Sequence, residues 1–118
     1  MRDEIISRSM ELALEIIRLV QSLPGGDVAN VIGKQLLRSA TSVGANYRSA
    51  CKAKSRADFV AKIAVTEEEA DETQYWLELS VESGLISEDA FKRLHEEARQ
   101  LTAIMAASGK TAKSNLSR

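Results

Sequence analysis

The residues of this chain that could carry chemistry are few and widely spaced. They are one histidine, His95, one cysteine, Cys51, and a run of five carboxylates, Glu67, Glu68, Glu69, Asp71 and Glu72. A di-iron centre inside a helical bundle needs glutamates and two inward-facing Glu-x-x-His pairs. His95 is alone, and the residue three before it is Lys92, so that centre is excluded. Cys51 has Arg48 and Lys52 nearby, cations of the kind that lower a thiol's pKa. The sequence offers it no base, and a buried, inert thiol is the expectation. Within the acidic run, carboxylates recur at i,i+3 and i,i+4 and share a helix face. There they could hold Mg²⁺, though pairing with a neighbouring helix is the commoner outcome. Neither a phosphate-binding glycine loop nor a nucleophile motif is present. Tyr75 with Trp76 could stack on bases, but a core or subunit-interface anchor is the simpler reading of Trp76. The sequence thus points to no catalytic residue, no metal site, no cofactor and a non-enzymatic protein.

Helices must hold these side chains. The 118 residues are 44% hydrophobic and only 4% aromatic, with one proline, so aliphatic side chains at regular spacing build the core of a single domain. A first segment, about Arg2 to Leu23, carries a polar stripe (Glu4, Arg8, Glu11, Glu15, Arg18) opposite an apolar arc wider than one seam requires. Pro24-Gly25-Gly26 ends it. A second, from about Asp27 as N-cap to Ala53, has an apolar row (Ile32, Leu36, Ala40, Val43, Tyr47). Beside that row lie small residues, Gly33, Ala40 and Gly44, which imply that another helix approaches closely. The third opens at Ser55-Arg56-Ala57-Asp58, a capping-box-like start, and ends near Gly84. The fourth runs from Ser87 with the seam Phe91, Leu94, Ala98, Leu101, Met105, and Gly109 reads as its stop. The expected domain is residues 1–109, with 110–118 a polar, disordered tail. Short links force antiparallel neighbours, so the fold class is all-α, an up-down-up-down antiparallel four-helix bundle. No stretch is long and apolar enough to span a membrane. One cysteine and a charged N-terminus suit the cytoplasm.

The formal net charge is −1, so any nucleic-acid affinity must come from a local patch. Between Val28 and Ala57 stand six basic residues (Lys34, Arg38, Arg48, Lys52, Lys54, Arg56) and no acid. Antiparallel second and third helices, both rising about 1.5 Å per residue, set Arg38 level with Ala70 and Arg48 level with Val60. Arg38 is therefore expected to pair with Glu69, Asp71 or Glu72. Arg48, Lys52, Lys54, Arg56 and Lys62 are left as a basic end with only Asp58 near. That end is either a solvated face or a phosphate-contacting patch, and the charge pattern leaves both open.

Several runs carry a resemblance: Leu37-Arg38-Ser39, Val43-Gly44-Ala45-Asn46, Lys54-Ser55-Arg56-Ala57-Asp58-Phe59, and Glu69-Ala70-Asp71-Glu72-Thr73 leading into Tyr75-Trp76-Leu77-Glu78-Leu79. They resemble the family of four-helix-bundle proteins encoded within intervening sequences of bacterial 23S ribosomal RNA genes. The resemblance implies a left-handed bundle assembling as a ring-like homopentamer and brings no catalytic residues. Accessory proteins of diversity-generating retroelements are similar in fold and bind nucleic acid and a reverse transcriptase through basic surfaces; this chain differs in being slightly acidic overall. The expected partners are a second copy of the chain and RNA or a nucleic-acid-handling protein, with a protein-binding scaffold free of nucleic-acid contact as the alternative.

Overall fold

In the computed structural model, which describes residues 1–116, the periodic segments are four helices. They are α1 (Arg2–Gln21), α2 (Asp27–Cys51), α3 (Arg56–Glu82) and α4 (Glu88–Leu116), with no strand among the described residues. The chain is all-α, a four-helix bundle 51 Å long and about 20 Å across. Each helix packs on the one before it, and α4 closes more lightly against α1. Neighbours run in opposite directions. Along α1 and α2, Ser9 meets Gly44 while Val20 and Leu23 meet Gly33. Along α3 and α4, Glu78 meets His95, and Gln74 Nε2 donates to Thr102 Oγ1 at 2.8 Å.

The expected rows form the core. Ile5, Leu12 and Ile16 of α1, Ile32, Leu36, Ala40 and Val43 of α2, and Leu94, Ala98, Leu101 and Met105 of α4 are all buried. The buried row of α3 is Ile63, Thr66, Ala70, Thr73, Leu77 and Ser80, half of it hydroxyl-bearing. Those hydroxyls bond back to carbonyls one turn earlier: Thr66 to Lys62, Thr73 to Glu69, Ser80 to Trp76, at 2.6–2.9 Å. No buried side-chain donor or acceptor among the described residues is orphaned, so the row costs no unmet hydrogen bond.

The small residues of α2 receive α1. A Cβ on Gly44 would lie 3.2 Å from Ser9 Oγ, and one on Gly33 would lie 3.2 Å from Val20 Cγ1. The close approach expected of this row is therefore made within the chain, and the row is not left over for a second subunit.

Two boundaries differ from the sequence reading. Asp27 is the first residue of α2 rather than its cap; Gly26, at φ 124°, takes the cap position without a side-chain bond. Gly109 does not stop α4, which continues to Leu116. A Cβ on Gly109 would make van der Waals contact with Ile63 Cγ2 at 3.4 Å, and Ala112 beyond it is buried, so the helix gains packing by continuing. Residues 110–116 are thus helix and not a disordered tail; Ser117 and Arg118, also part of that expected tail, lie outside the described residues. No helix among the described residues is long and apolar enough to cross a membrane.

Leu101 is fully buried in the α4 seam, and Leu101→Ala should lower stability by about 2–5 kcal/mol through reduced burial and the cavity left behind. Urea denaturation checks it; a loss under about 0.5 kcal/mol would contradict this packing.

Candidate nucleic-acid interface

Antiparallel packing of α2 on α3 brings Arg38 into the acidic run. Its Nη1 lies 3.3 Å from Glu69 Oε2, its Nη2 bonds Glu72, and its Nε donates to Gln35 Oε1 at 2.9 Å. Glu72 also accepts from Trp76 Nε1 at 2.9 Å, so one network ties both helices to the half-buried indole. Asp71 is exposed and makes no ion pair with Arg38 among the described residues. Tyr75, exposed, meets Trp76 edge-on with ring centroids 4.9 Å apart. The acidic run is thus divided. Glu69 and Glu72 serve Arg38, Glu67 lines a groove with Lys110 and Lys113 of α4, and Glu68 faces solvent. No three His, Cys, Asp or Glu side chains among the described residues converge as metal ligands.

Two links went unseen in the sequence. Arg8 grips Glu97 of α4 with two hydrogen bonds, at 3.0 and 2.5 Å, and adds Gln100 at 2.7 Å. Glu15 meets Arg93 at 2.6 Å. The hydrogen bonds that Arg8 donates to Glu97 hold its guanidinium above its ordinary pKa. Arg8 and Glu15 were visible as polar-stripe residues, but a pair linking the first helix to the last needs the whole fold to become apparent. His95, beside Phe91, reaches Glu78 Oε2 at 2.8 Å and serves as a rim residue. Cys51 is half-buried and free; burial first, then the neighbouring sulfur, pushes the Tyr47 hydroxyl up to about 12.

At the α2–α3 turn the basic residues do not share one face. Arg48 and Lys52 are exposed one turn apart, and Arg48 borders the α1–α2 groove with Met10 and Ala13. Lys54 stands in the turn itself. Arg56 lines a groove against the C-terminal turns of α4. Lys62 is engaged, its Nζ lying 3.2 Å from Asp58. Asp58 also accepts the Lys54 backbone N–H at 3.1 Å, while Ser55 Oγ caps the Asp58 N–H at 3.0 Å. The capping box is present but displaced by one residue at its acidic end. The first turn of α1 adds charges the sequence reading did not place here, since Tyr47 lies within electrostatic reach of both Arg2 and Asp3.

The contrast among arginines is the clearest feature. Arg2, Arg8, Arg18, Arg38, Arg93 and Arg99 each reach a carboxylate, whereas Arg48 and Arg56 reach none among the described residues. The side chains of Lys52 and Lys54 are likewise without an ion pair there.

These positions define a small four-helix-bundle protein whose distinctive surface feature is its pattern of paired and unpaired charges among the described residues. The chain belongs to the family of 23S rRNA-intervening sequence proteins, whose pattern residues 2–107 match. It is also similar to a solved structure from the S23 ribosomal protein family of Bacteroides thetaiotaomicron VPI-5482, described as of unknown function. The two are 35% identical over 93% of this chain and 99% of that one, with a TM-score of 0.84. No curated protein matches the chain.

The Asp58 carboxyl is held below its usual range, first by the Lys54 N–H and then by Lys62. Its contribution to α3 is complete above the unfolded carboxylate pKa of about 3.9 and is lost as pH falls through the lower folded value. Carbon-detected NMR titration should show that low midpoint, and Lys62→Met should raise it. An Asp58 midpoint at or above about 3.9 would contradict the capping geometry.

Proposed function

We propose that this protein is a non-enzymatic, oligomeric bundle acting in the cytoplasm, which binds RNA, alone or within a ribonucleoprotein, through the α2–α3 end. The observation that carries the reading is the pair of unmatched arginines, Arg48 and Arg56, with Lys52 and Lys54 between them, in a chain whose other described arginines are all paired. Unpaired guanidinium and ammonium groups at one end are free to displace counterions from phosphates. Contacts of that kind position a polyanion without reading its sequence. Family membership supports a link to ribosomal RNA genes. Lys62, held by Asp58, contributes as a flanking charge only.

The same reading includes assembly as an up-down-up-down, left-handed bundle into a ring-like homopentamer. It is supported by the outer face of α1, where Met10 is 51% and Leu14 38% exposed beside Ile17 and Ala45, an apolar strip that a second copy would cover. Repetition of weak basic ends around a ring raises affinity by avidity, about 10²–10⁴ for linked sites.

Replacing Arg48, Lys52, Lys54 and Arg56 together by glutamine should weaken binding to structured ribosomal RNA. It should also flatten the dependence of log K on log salt by about one unit for each phosphate no longer neutralised, with the melting temperature unchanged. Arg38→Gln, altering a paired arginine, should leave RNA binding intact. Absence of RNA binding by the unmodified protein at low salt would overturn the reading in favour of a protein-binding scaffold. Light scattering should give about five times the 12.9 kDa chain mass; a monomer at micromolar concentration contradicts the ring.

A further inference from the structure

The segment of α4 past Ala107 lies beyond the stretch that matches the family, yet it is helical and buries Ala112 against the bundle. With the start of α3 it borders an open surface groove of about 650 Å³. Its walls combine three chemistries. Arg56 supplies a guanidinium with no carboxylate partner among the described residues, half-buried Phe59 supplies an aromatic ring, and Ser108, Thr111 and Asn115 supply polar groups. Those three side chains make no hydrogen bond among the described residues. The contrast is with Ser39, Thr66, Thr73, Ser80 and Thr102, whose hydroxyls all bond back to their own helix.

We propose that this α3–α4 groove is a nucleotide subsite, in which a base lies against Phe59, a phosphate is held by Arg56, and Ser108, Thr111 and Asn115 take polar edges of the base or ribose. An aromatic ring gives a base a stacking surface whatever its identity. A guanidinium matches a phosphate with two parallel hydrogen bonds, and hydroxyl and amide groups suit base edges and the ribose 2′-hydroxyl. The polymer form of the proposal rests on the RNA reading above, since it makes the groove the place where one nucleotide of a bound strand leaves the basic end. Arg56 is shared by the two surfaces; the remaining groups belong to the groove alone.

The test uses the full chain, with adenosine, 5′-AMP and a fluorescent adenosine pentanucleotide as probes. The unmodified protein should bind AMP saturably and more tightly than adenosine, and Arg56→Gln should erase that difference. Thr111→Val with Asn115→Leu, both on the exposed side of α4, should weaken AMP and pentanucleotide binding about tenfold while leaving the salt slope unchanged. Phe59→Leu should do the same, with circular dichroism confirming the fold. Unaltered AMP and pentanucleotide affinity in the Thr111/Asn115 variant would overturn the subsite. Salt-dependent RNA binding with no AMP binding would remove the subsite and leave the basic-end reading standing. AMP binding without RNA binding would do the opposite.

Discussion

Helix α3 touches both α2 and α4, and half of the row it buries is made of hydroxyls. Alternation of Ile63, Ala70 and Leu77 with Thr66, Thr73 and Ser80 keeps that row thin. Neighbours on both sides can then come close, and each buried oxygen is satisfied by its own helix. Bulk is supplied by the partners, with Leu36 and Val43 from α2 and Leu94, Leu101 and Met105 from α4. The lengthwise register of the molecule follows from this fit. Slide α2 along α3 by one turn and Arg38 no longer stands over Glu69 and Glu72. Slide α4 and Ile63 no longer faces Gly109.

The outer pair of helices is joined differently. Packing between α1 and α4 is slight, and the two ion pairs Arg8–Glu97 and Glu15–Arg93 bridge it. Ion pairs at a protein surface contribute only about 0–1 kcal/mol each, so they align α1 with α4 more than they stabilise the bundle. The strength of the α1 attachment comes from α2, whose glycines admit it, and from Ile5, Leu12 and Ile16, which are fully buried.

Periodicity made the helices, their core rows and the close-approach row legible from sequence, because burial in a bundle imposes a three-four spacing that few other arrangements reproduce. The end of α4 was not legible. Gly109 has the composition of a stop, yet glycine inside a helix costs only about 1 kcal/mol relative to alanine, and Ala112 beyond it is buried, which local sequence could not show. The partners of Arg38 followed from level-matching two adjacent helices across a short turn, although that argument could not choose among Glu69, Asp71 and Glu72, which differ in direction around the helix. Direction also explains the spread of the basic end: residues equal in height along the axis can border α1 or α4, as Arg48 and Arg56 do, or stand in the turn like Lys54. The Arg8–Glu97 clasp joins residues 89 apart in sequence, and no local rule connects them.

A net charge of −1 does not oppose an anionic partner at the α2–α3 end, because charge in a rod-like molecule acts locally. Glu69 and Glu72, in the acidic middle of α3, are committed to Arg38. They are level with a point ten residues along α2 from Arg48, about 15 Å away at 1.5 Å per residue. Screening at physiological ionic strength decays over about 8 Å, and the bundle is 51 Å long. A phosphate placed at that end would sense Arg48, Lys52, Lys54 and Arg56, which make no side-chain ion pair among the described residues, moderated by Asp58 and the first turn of α1, and would be largely screened from Glu69 and Glu72. Glu69 and Glu72 are committed to Arg38, and distance along the bundle separates them from the cations of the α2–α3 end.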